Sequence, residues 1–523
     1  MDALRHGNGY GLPSPRSTPA SGDRRSLTQF ATELFRHSVD ADREIDVARS
    51  GGSQSGRVIV VSNRVGLPSE GKARAGGLEV VMRSFIKRNR GIWFGWSGQT
   101  TQRGDENVRT VERGGVTYIT TDLNRSDYQE YYNGFANRML WPILHYRLDL
   151  VEFSNRDMSG YLRVNEKFAD ILHRFIKPED VIWVQDYHLM PLAKALRERG
   201  HMNKIGFFLH IPFPPPEVLA TLPKHEQSIY PLCHYDLVGF QTEGDADNFA
   251  KYLTQQFGMP SRDGRTFNVN GRTVRAGAFP VGVETVEFER LARRSARVDE
   301  VVEVQTSIAN RPMIIGVDRL DYSKGLDVRM RAYEHFLGSH PHWRGKVTYL
   351  QITPRSRSEI KEYADMERRV RETVGRVNGH YGEAAWTPIR YVNRTHSRTL
   401  LAGLYRCSRV CLVTPLRDGM NLVAKEYVAA QDPENPGALV LSKFAGAAVE
   451  CKSALLINPY DQEAVAAAID QALSMPLDER KERHRDMIAA LSANDIKDWG
   501  ERFLAELTHE PQSGLRLVQQ ASL

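Results

Sequence analysis

Hydrophobic runs of strand length alternate with helical stretches over more than 400 residues, and this constrains the chain more than any single motif. The runs are RVIVVSN (57–63), VIWVQD (181–186), IGFFLHI (205–211), MIIGVD (313–318), VTYLQI (347–352), VCLVTP (410–415) and ALVLS (438–442). A near-continuous β-branched run suits a strand covered on both faces, whereas a strand with one wet face would alternate apolar and polar. Residues 161–176, 188–199, 358–378, 421–431 and 463–473 carry apolar residues at helical spacing instead. Strand–helix alternation predicts parallel sheets with helices on both faces. The strands are too many for one such sheet. The fold class expected is therefore α/β, with two doubly wound, Rossmann-like domains facing across a deep cleft. Ligands of such sheets bind at the carboxyl ends of the strands.

The division falls near 285–310, where the charged segment EFERLARRSARVDEVVEVQ precedes a fresh strand. This predicts an N-terminal Rossmann-like domain over 57–292 and a C-terminal one over 293–490. A helix and tail over 491–523 follow, the helix packing back on the N-terminal domain. Residues 1–56 are expected to form a disordered extension. Within it, Ser26-Leu27-Thr28-Gln29 makes a capping-box pattern ahead of Leu27, Phe30, Ala31, Leu34 and Phe35. A short amphipathic helix near 27–38 and a GGSQSG linker (51–56) follow from that pattern.

Several function classes are disfavoured by composition. No run of about 18 apolar residues exists to span a membrane, and MDALRHGNGYGLPSPRS lacks the apolar core of a secretory signal. The first 56 residues carry seven acids against seven Lys/Arg, unlike an acid-poor mitochondrial presequence. Four sparse cysteines (Cys233, Cys407, Cys411 and Cys451) form no CxxC pair and read as small buried hydrophobes in a reducing, cytoplasmic setting. The net charge of +6 is scattered, and basic pairs such as Lys87-Arg88 lack interleaved aromatics, so no nucleic-acid partner is expected.

Five motifs sit at strand ends. Ser62-Asn63-Arg64 is followed by Ala75-Gly76-Gly77-Leu78, which could bring backbone amides and a guanidinium fork to an anion. A glycine pair before a helix is also ordinary turn chemistry. Asp186, in Trp183-Val184-Gln185-Asp186-Tyr187-His188, could accept from sugar hydroxyls or cap the next helix. His210 precedes the Pro-rich turn Ile211-Pro212-Phe213-Pro214. No second ligand stands at metal spacing beside it. In Gly316-Val317-Asp318-Arg319-Leu320-Asp321-Tyr322-Ser323-Lys324-Gly325, two cations bracket a turn and could hold a diphosphate, or pair structurally with Asp321. In the run from Thr414 through Arg417, Asp418, Gly419, Met420 and Asn421 to Glu426, a tight loop opens a helix. That arrangement suits a nucleotide-sugar.

Together these motifs resemble the trehalose-6-phosphate synthases, retaining glycosyltransferases of the GT-B fold. The resemblance runs over about 57–508 and includes SNRV, WFGWSG, EYYNGFANRMLWP, HYRLDLV, GYLRVN, DYHLMP, GFFLHIPFP, RLDYSKG and TPLRDGMNLVAKEYVAAQ. It implies transfer of glucose from a nucleotide-glucose, UDP-glucose by default, to glucose 6-phosphate. Arg64, Tyr132, Trp141 and Arg357 then match positions that hold the acceptor's phosphate and frame its sugar, and Asp186 matches one on its hydroxyls. Gly76, Gly77, Arg319 and Lys324 match the donor-diphosphate site. His210, Asp418, Gly419, Met420 and Asn421 surround the transferred glucose, while Leu422, Val423 and Glu426 complete the donor site with Glu426 on the ribose. The base meets mainly backbone near Gln351–Pro354 and His396. Arg319, Lys324, His210 and Asp418 are the candidate catalytic groups. The usual proposal for the family is front-face attack, with positioning and electrostatics carrying the reaction, no cofactor and no essential divalent metal. A dimer or tetramer is implied as well. Gln185 stands where relatives often carry His, a departure given little weight. Glucosylglycerol-phosphate synthases, pseudo-glycosyltransferases and silent sugar-phosphate sensors remain alternatives, and a phosphatase motif DxDx[TV] after an apolar strand is lacking.

Overall fold

The computed structural model describes residues 56–66, 77–89, 91–102, 107–309, 311–355 and 360–509. The expectations for residues 1–55 and for the last tail, and the sites at Gly76 and Arg357, lie outside the described residues.

Two sheets form the frame. The first contains β1 (Val58–Arg64), β2 (Ile92–Thr101), β3 (Arg109–Arg113), β4 (Val116–Asn124), β5 (Val181–Gln185), β6 (Ile205–Phe208), β7 (Leu237–Phe240), β8 (Thr266–Val269) and β9 (Arg272–Ala278). Its order is β3-β4-β2-β1-β5-β6-β7-β9-β8, parallel except where β3 and β8 add antiparallel edges. The second contains β10 (Met313–Val317), β11 (Thr348–Ile352), β12 (Ile389–Val392), β13 (Val410–Val413), β14 (Ala438–Ser442) and β15 (Leu455–Ile457). Its order, β12-β11-β10-β13-β14-β15, is all parallel. That is the doubly wound arrangement, with strand order reversing between β1 and β5 and again between β10 and β13.

The seven apolar runs all become strands, because each is buried on both faces. Val58 and Val60 point into one core layer while Ile59 and Val61 point into the other. The strands that periodicity did not single out include β2, whose second half is polar, and β3, which is exposed along its length. The helices Thr285–Ser295 and Asp299–Ser307 lead into β10, and Phe288, Ala292 and Val301 bury in the core of the second sheet.

Three helices position the site. Helix α1 (Asn155–His173) is capped by Ser154, whose Oγ accepts from the Asp157 amide at 3.2 Å. It braces a π-helical stretch, Tyr128–Leu140, through Arg163, which donates to Asp127 at 2.6 Å and Glu130 at 2.7 Å. Helix α2 (Leu422–Ala430) follows β13, and helix α3 (Ile496–Thr508) returns to the first sheet. On α3, Phe503 stacks on Trp183 with ring centroids 4.7 Å apart. Gly206 and Gly239 make that possible, since a Cβ at either would come within 2.7 Å of the Phe503 ring. Burying such a ring contributes about 1.5–3 kcal/mol.

Candidate active site

The carboxyl ends of β1 and β5 flank the first reversal of strand order, and a cavity of about 460 Å³ opens there. Ser62, Asn63, Arg64, Gln185, Asp186 and His210 line it. Arg64 lies 5.8 Å over the Trp96 ring, Trp96 meets Tyr132 at 5.8 Å, and Tyr132 stacks on His188 at 5.8 Å with an 11° tilt. This row holds Arg64 and Tyr132 on one wall. The π-helical turn beneath it also presents Tyr131, whose hydroxyl donates to Asn63 Oδ1 at 2.8 Å.

Asp186 adopts a left-handed φ of 74°, which for a non-glycine residue is a strained choice. Its side chain does not cap the following turn, so the capping alternative is not realised. Instead Oδ1 accepts from the His210 amide at 3.2 Å. The His210 ring reaches Gln185 Oε1 at 2.9 Å through Nε2. Because that oxygen only accepts, Nε2 carries the proton and Nδ1 is left as an acceptor. Burial pulls the His210 imidazole down to about 3, so the ring is neutral. Gln185, set aside on sequence, is thus the residue that fixes the His210 tautomer. Its adjacency to Asp186 gave no hint of this, because neighbours on a strand point to opposite faces and the partner comes from the next strand.

On the second sheet, the turn after β10 and the loop after β13 meet. Lys324 Nζ donates to Asp418 Oδ2 at 2.5 Å, the pair being part-buried. Burial opposes the Asp418 charge, yet Lys324 and the Asn421 amide, 3.0 Å from Oδ2, hold its carboxyl below the usual range. Lys324 therefore takes Asp418 as its partner. Asp321 uses Oδ1 to accept from the Ser323 amide at 3.0 Å and from Trp141 Nε1 at 3.3 Å. Asn421, at a left-handed φ of 87°, caps α2 by accepting from the Ala424 amide at 3.1 Å. Underneath, fully buried Arg329 ties the strand ends together, donating to Asp318 at 2.6 Å, Thr414 Oγ1 at 2.8 Å and Gln351 Oε1 at 3.1 Å. Sequence reading missed Arg329, which sits in the first turn of the helix Leu326–Ser339, between Val328 and Met330.

The two halves touch at the site. Gly419 packs against the His210–Ile211 backbone so closely that a Cβ would lie 2.4 Å from the His210 carbonyl oxygen. Exposed Arg319 stands 5.8 Å over the Trp141 ring, placing a cation from the turn after β10 on an aromatic that follows the π-helical stretch. Buried Lys425 donates to the Val281 carbonyl at 2.7 Å and pairs with Glu450. Met420 is buried, Leu422 and Val423 pack on the second core, and burial pushes the Glu426 carboxyl up to about 7 against the pull of Arg398. Gly77 opens its helix. Half-buried His396 is carried farther out, in the loop after the edge strand β12. The structure thus gathers Arg64, Tyr132, Trp141, Asp186, His210, Arg319, Lys324, Asp418, Gly419 and Asn421 around the two points where strand order reverses.

The arrangement offers cations, a paired carboxylate and a neutral imidazole at one cleft. Among the described residues, no group of three or more His, Cys, Asp or Glu is placed to hold a metal ion, and no helix is long and apolar enough to cross a membrane.

Residues 56–509 match the model of "Glycosyltransferase family 20". A trehalose-6-phosphate synthase of Sinorhizobium fredii is 51% identical over 455 residues, covering 86% of this chain and 98% of its own. A Burkholderia xenovorans alpha,alpha-trehalose-phosphate synthase, solved in complex with glucose-6-phosphate, superposes with a TM-score of 0.84 at 47% identity, covering 87% of this chain and all of that one. A structure from E. coli bound with UDP-2-fluoro glucose gives 0.83 at 46% identity, over 87% of this chain and 100% of that one.

Proposed function

The chain belongs to glycosyltransferase family 20, and from that membership we propose that it transfers glucose from UDP-glucose to glucose 6-phosphate, giving α,α-trehalose 6-phosphate and UDP. The observation that carries the site reading is the Lys324–Asp418 pair, at a loop whose Gly419 packs against the His210 backbone, together with the Arg64–Trp96–Tyr132 row. One side offers charge for a diphosphate, the other a guanidinium for an acceptor phosphate.

In this reading Arg319 and Lys324 hold the donor diphosphate and stabilise its charge as the bond from glucose C1 to the phosphate oxygen breaks. The acceptor 1-hydroxyl forms the new bond to C1 on the same face, and its proton passes to the departing phosphate oxygen. Asp418, kept ionised by Lys324, accepts from glucose hydroxyls. Neutral His210 offers hydrogen bonding without charge. Glu426 takes the ribose, and Arg64 with Tyr132, Trp141, Asp186 and Arg357 orients the acceptor. The charge comes from side chains, so the chemistry calls on no divalent ion. A cytoplasmic homo-oligomer with small-molecule substrates completes the proposal.

The test is nucleotide release from purified protein, crossing UDP-, GDP- and ADP-glucose with glucose 6-phosphate and glycerol 3-phosphate. Release that needs UDP-glucose and glucose 6-phosphate, with trehalose 6-phosphate in the product, is the expected result. Release only with glycerol 3-phosphate moves the acceptor, and silence with every pair removes the assignment.

A further inference from the structure

Strand ends opposite the cleft carry a second concave site. A cavity of about 590 Å³ lies where β10, β13 and β14 begin, at Met313, Arg409 and Gly437. Five-residue β10 alone spans about 16 Å, which separates this cavity from the residues beyond the strand's other end. Four guanidinium groups line it (Arg311, Arg406, Arg409 and Arg480) against one carboxylate, Asp432.

Arg406 is matched by Asp432 at 3.4 Å and Glu289 at 3.6 Å. The other three donate only to neutral acceptors. Arg311 serves the Gly345 carbonyl at 2.7 Å and, more weakly, those of Ile308 and Ala385. Arg409 Nη2 reaches the Met475 carbonyl at 3.3 Å, and its buried Nε has no acceptor. Arg480 ties down Met475, Asn435 and Pro436. Burial lowers the Arg409 and Arg480 guanidinium pKa values, and Arg409 lowers that of Arg480 further. A folded protein rarely leaves cations gathered in a pocket without a counter-charge, since burying an unmatched charge is costly. Guanidinium forks match phosphate oxygens bidentately, and the volume is that of a small-molecule pocket. Ile308, Met313 and Leu473 supply an apolar wall for a carbon skeleton.

We propose that this cavity is a second binding site, distinct from the cleft, for a small phosphomonoester. The proposal depends on the pocket's own charge and shape, and its test reads binding rather than turnover. The full chain is titrated by calorimetry with inorganic phosphate, glucose 6-phosphate and AMP, the last two separating a sugar phosphate from a nucleotide as the source of the phosphate. At least one probe should occupy a saturable site that Arg409→Gln weakens by about tenfold or more, as loss of charged hydrogen bonds implies, while the variant keeps wild-type melting temperature and turnover. Arg311→Gln serves as a second variant should Arg409→Gln fold poorly. If every probe binds wild type and both variants alike, or binds without saturation, the inference fails.

Discussion

Replacing Lys324 with Ala separates the charge it lends to catalysis from the charge it lends to folding. The Lys324 and Asp418 side chains are only 13% and 12% exposed, so solvent screens the pair little. Removing one partner of a buried pair costs about 3–5 kcal/mol. Asp418 retains the Asn421 donor at 3.0 Å, and without its cation the carboxyl drifts toward the neutral form, which holds the loss near ~3 kcal/mol. The pH dependence has a definite sign. In the wild type the Asp418 carboxyl is depressed, so its contribution is present above the unfolded carboxylate range and is lost as pH falls through the folded value. In Lys324→Ala burial raises that carboxyl, so the deficit against wild type grows as pH rises toward neutrality and shrinks in acid. Loss of charge on a departing diphosphate costs a further ~2.7–4 kcal/mol in the transition state, about a hundred- to a thousandfold in turnover. The assay is a double-mutant cycle with Asp418→Asn, read by denaturant midpoints and by UDP release. The double variant should be less destabilised than the two single losses added together, yet all three should be nearly inactive. Additivity within ~0.5 kcal/mol would remove the pair as a stabilising unit, and near-wild-type turnover in Lys324→Ala would remove the catalytic role.

Glu426 titrates near 7, and a carboxylate accepting from ribose hydroxyls is needed ionised, so donor kcat/KM should fall as pH drops below about 7. Glu426→Gln should flatten that limb, and an unchanged profile would contradict the ribose role. Gln185→Leu strands the His210 Nε2 proton, a loss of ~1–3 kcal/mol that should lower turnover by up to about a hundredfold with the fold intact; wild-type kinetics would show that the tautomer does not matter. For Gly419→Ala the added methyl meets the His210 carbonyl, so the loop must retreat and donor KM should rise sharply, measured as UDP-glucose dependence of initial rate. Incubation with EDTA should leave turnover unchanged, because Arg319 and Lys324 supply the charge; a loss restored by magnesium would show that a metal shares the diphosphate.

The parts of this molecule legible in the sequence are those where one physical demand dominates a stretch of chain. Strands buried on both faces must be apolar throughout, so Val58–Arg64, Met313–Val317 and their companions announce themselves, and with them the strand ends where Asp186, His210, Arg319 and Asp418 stand. What stayed hidden depends on which strand ends become neighbours. Gln185 and His210 lie 25 residues apart on adjacent strands, and Lys324 and Asp418 lie 94 apart, so neither pairing has a local signature. Asp321, only three residues from Lys324, is the nearer alternative partner by sequence. It is engaged instead by the Ser323 amide and by Trp141, from the short helix Trp141–Leu144. Arg329 was hidden for the opposite reason: in a helix it reads as a solvated charge, and only the convergence of Asp318, Gln351 and Thr414 beneath the site gives it a buried task. Each of these residues spends its polar groups on holding a loop or a ring in place, which is what a reaction run by positioning and electrostatics demands of the residues behind those that touch substrate.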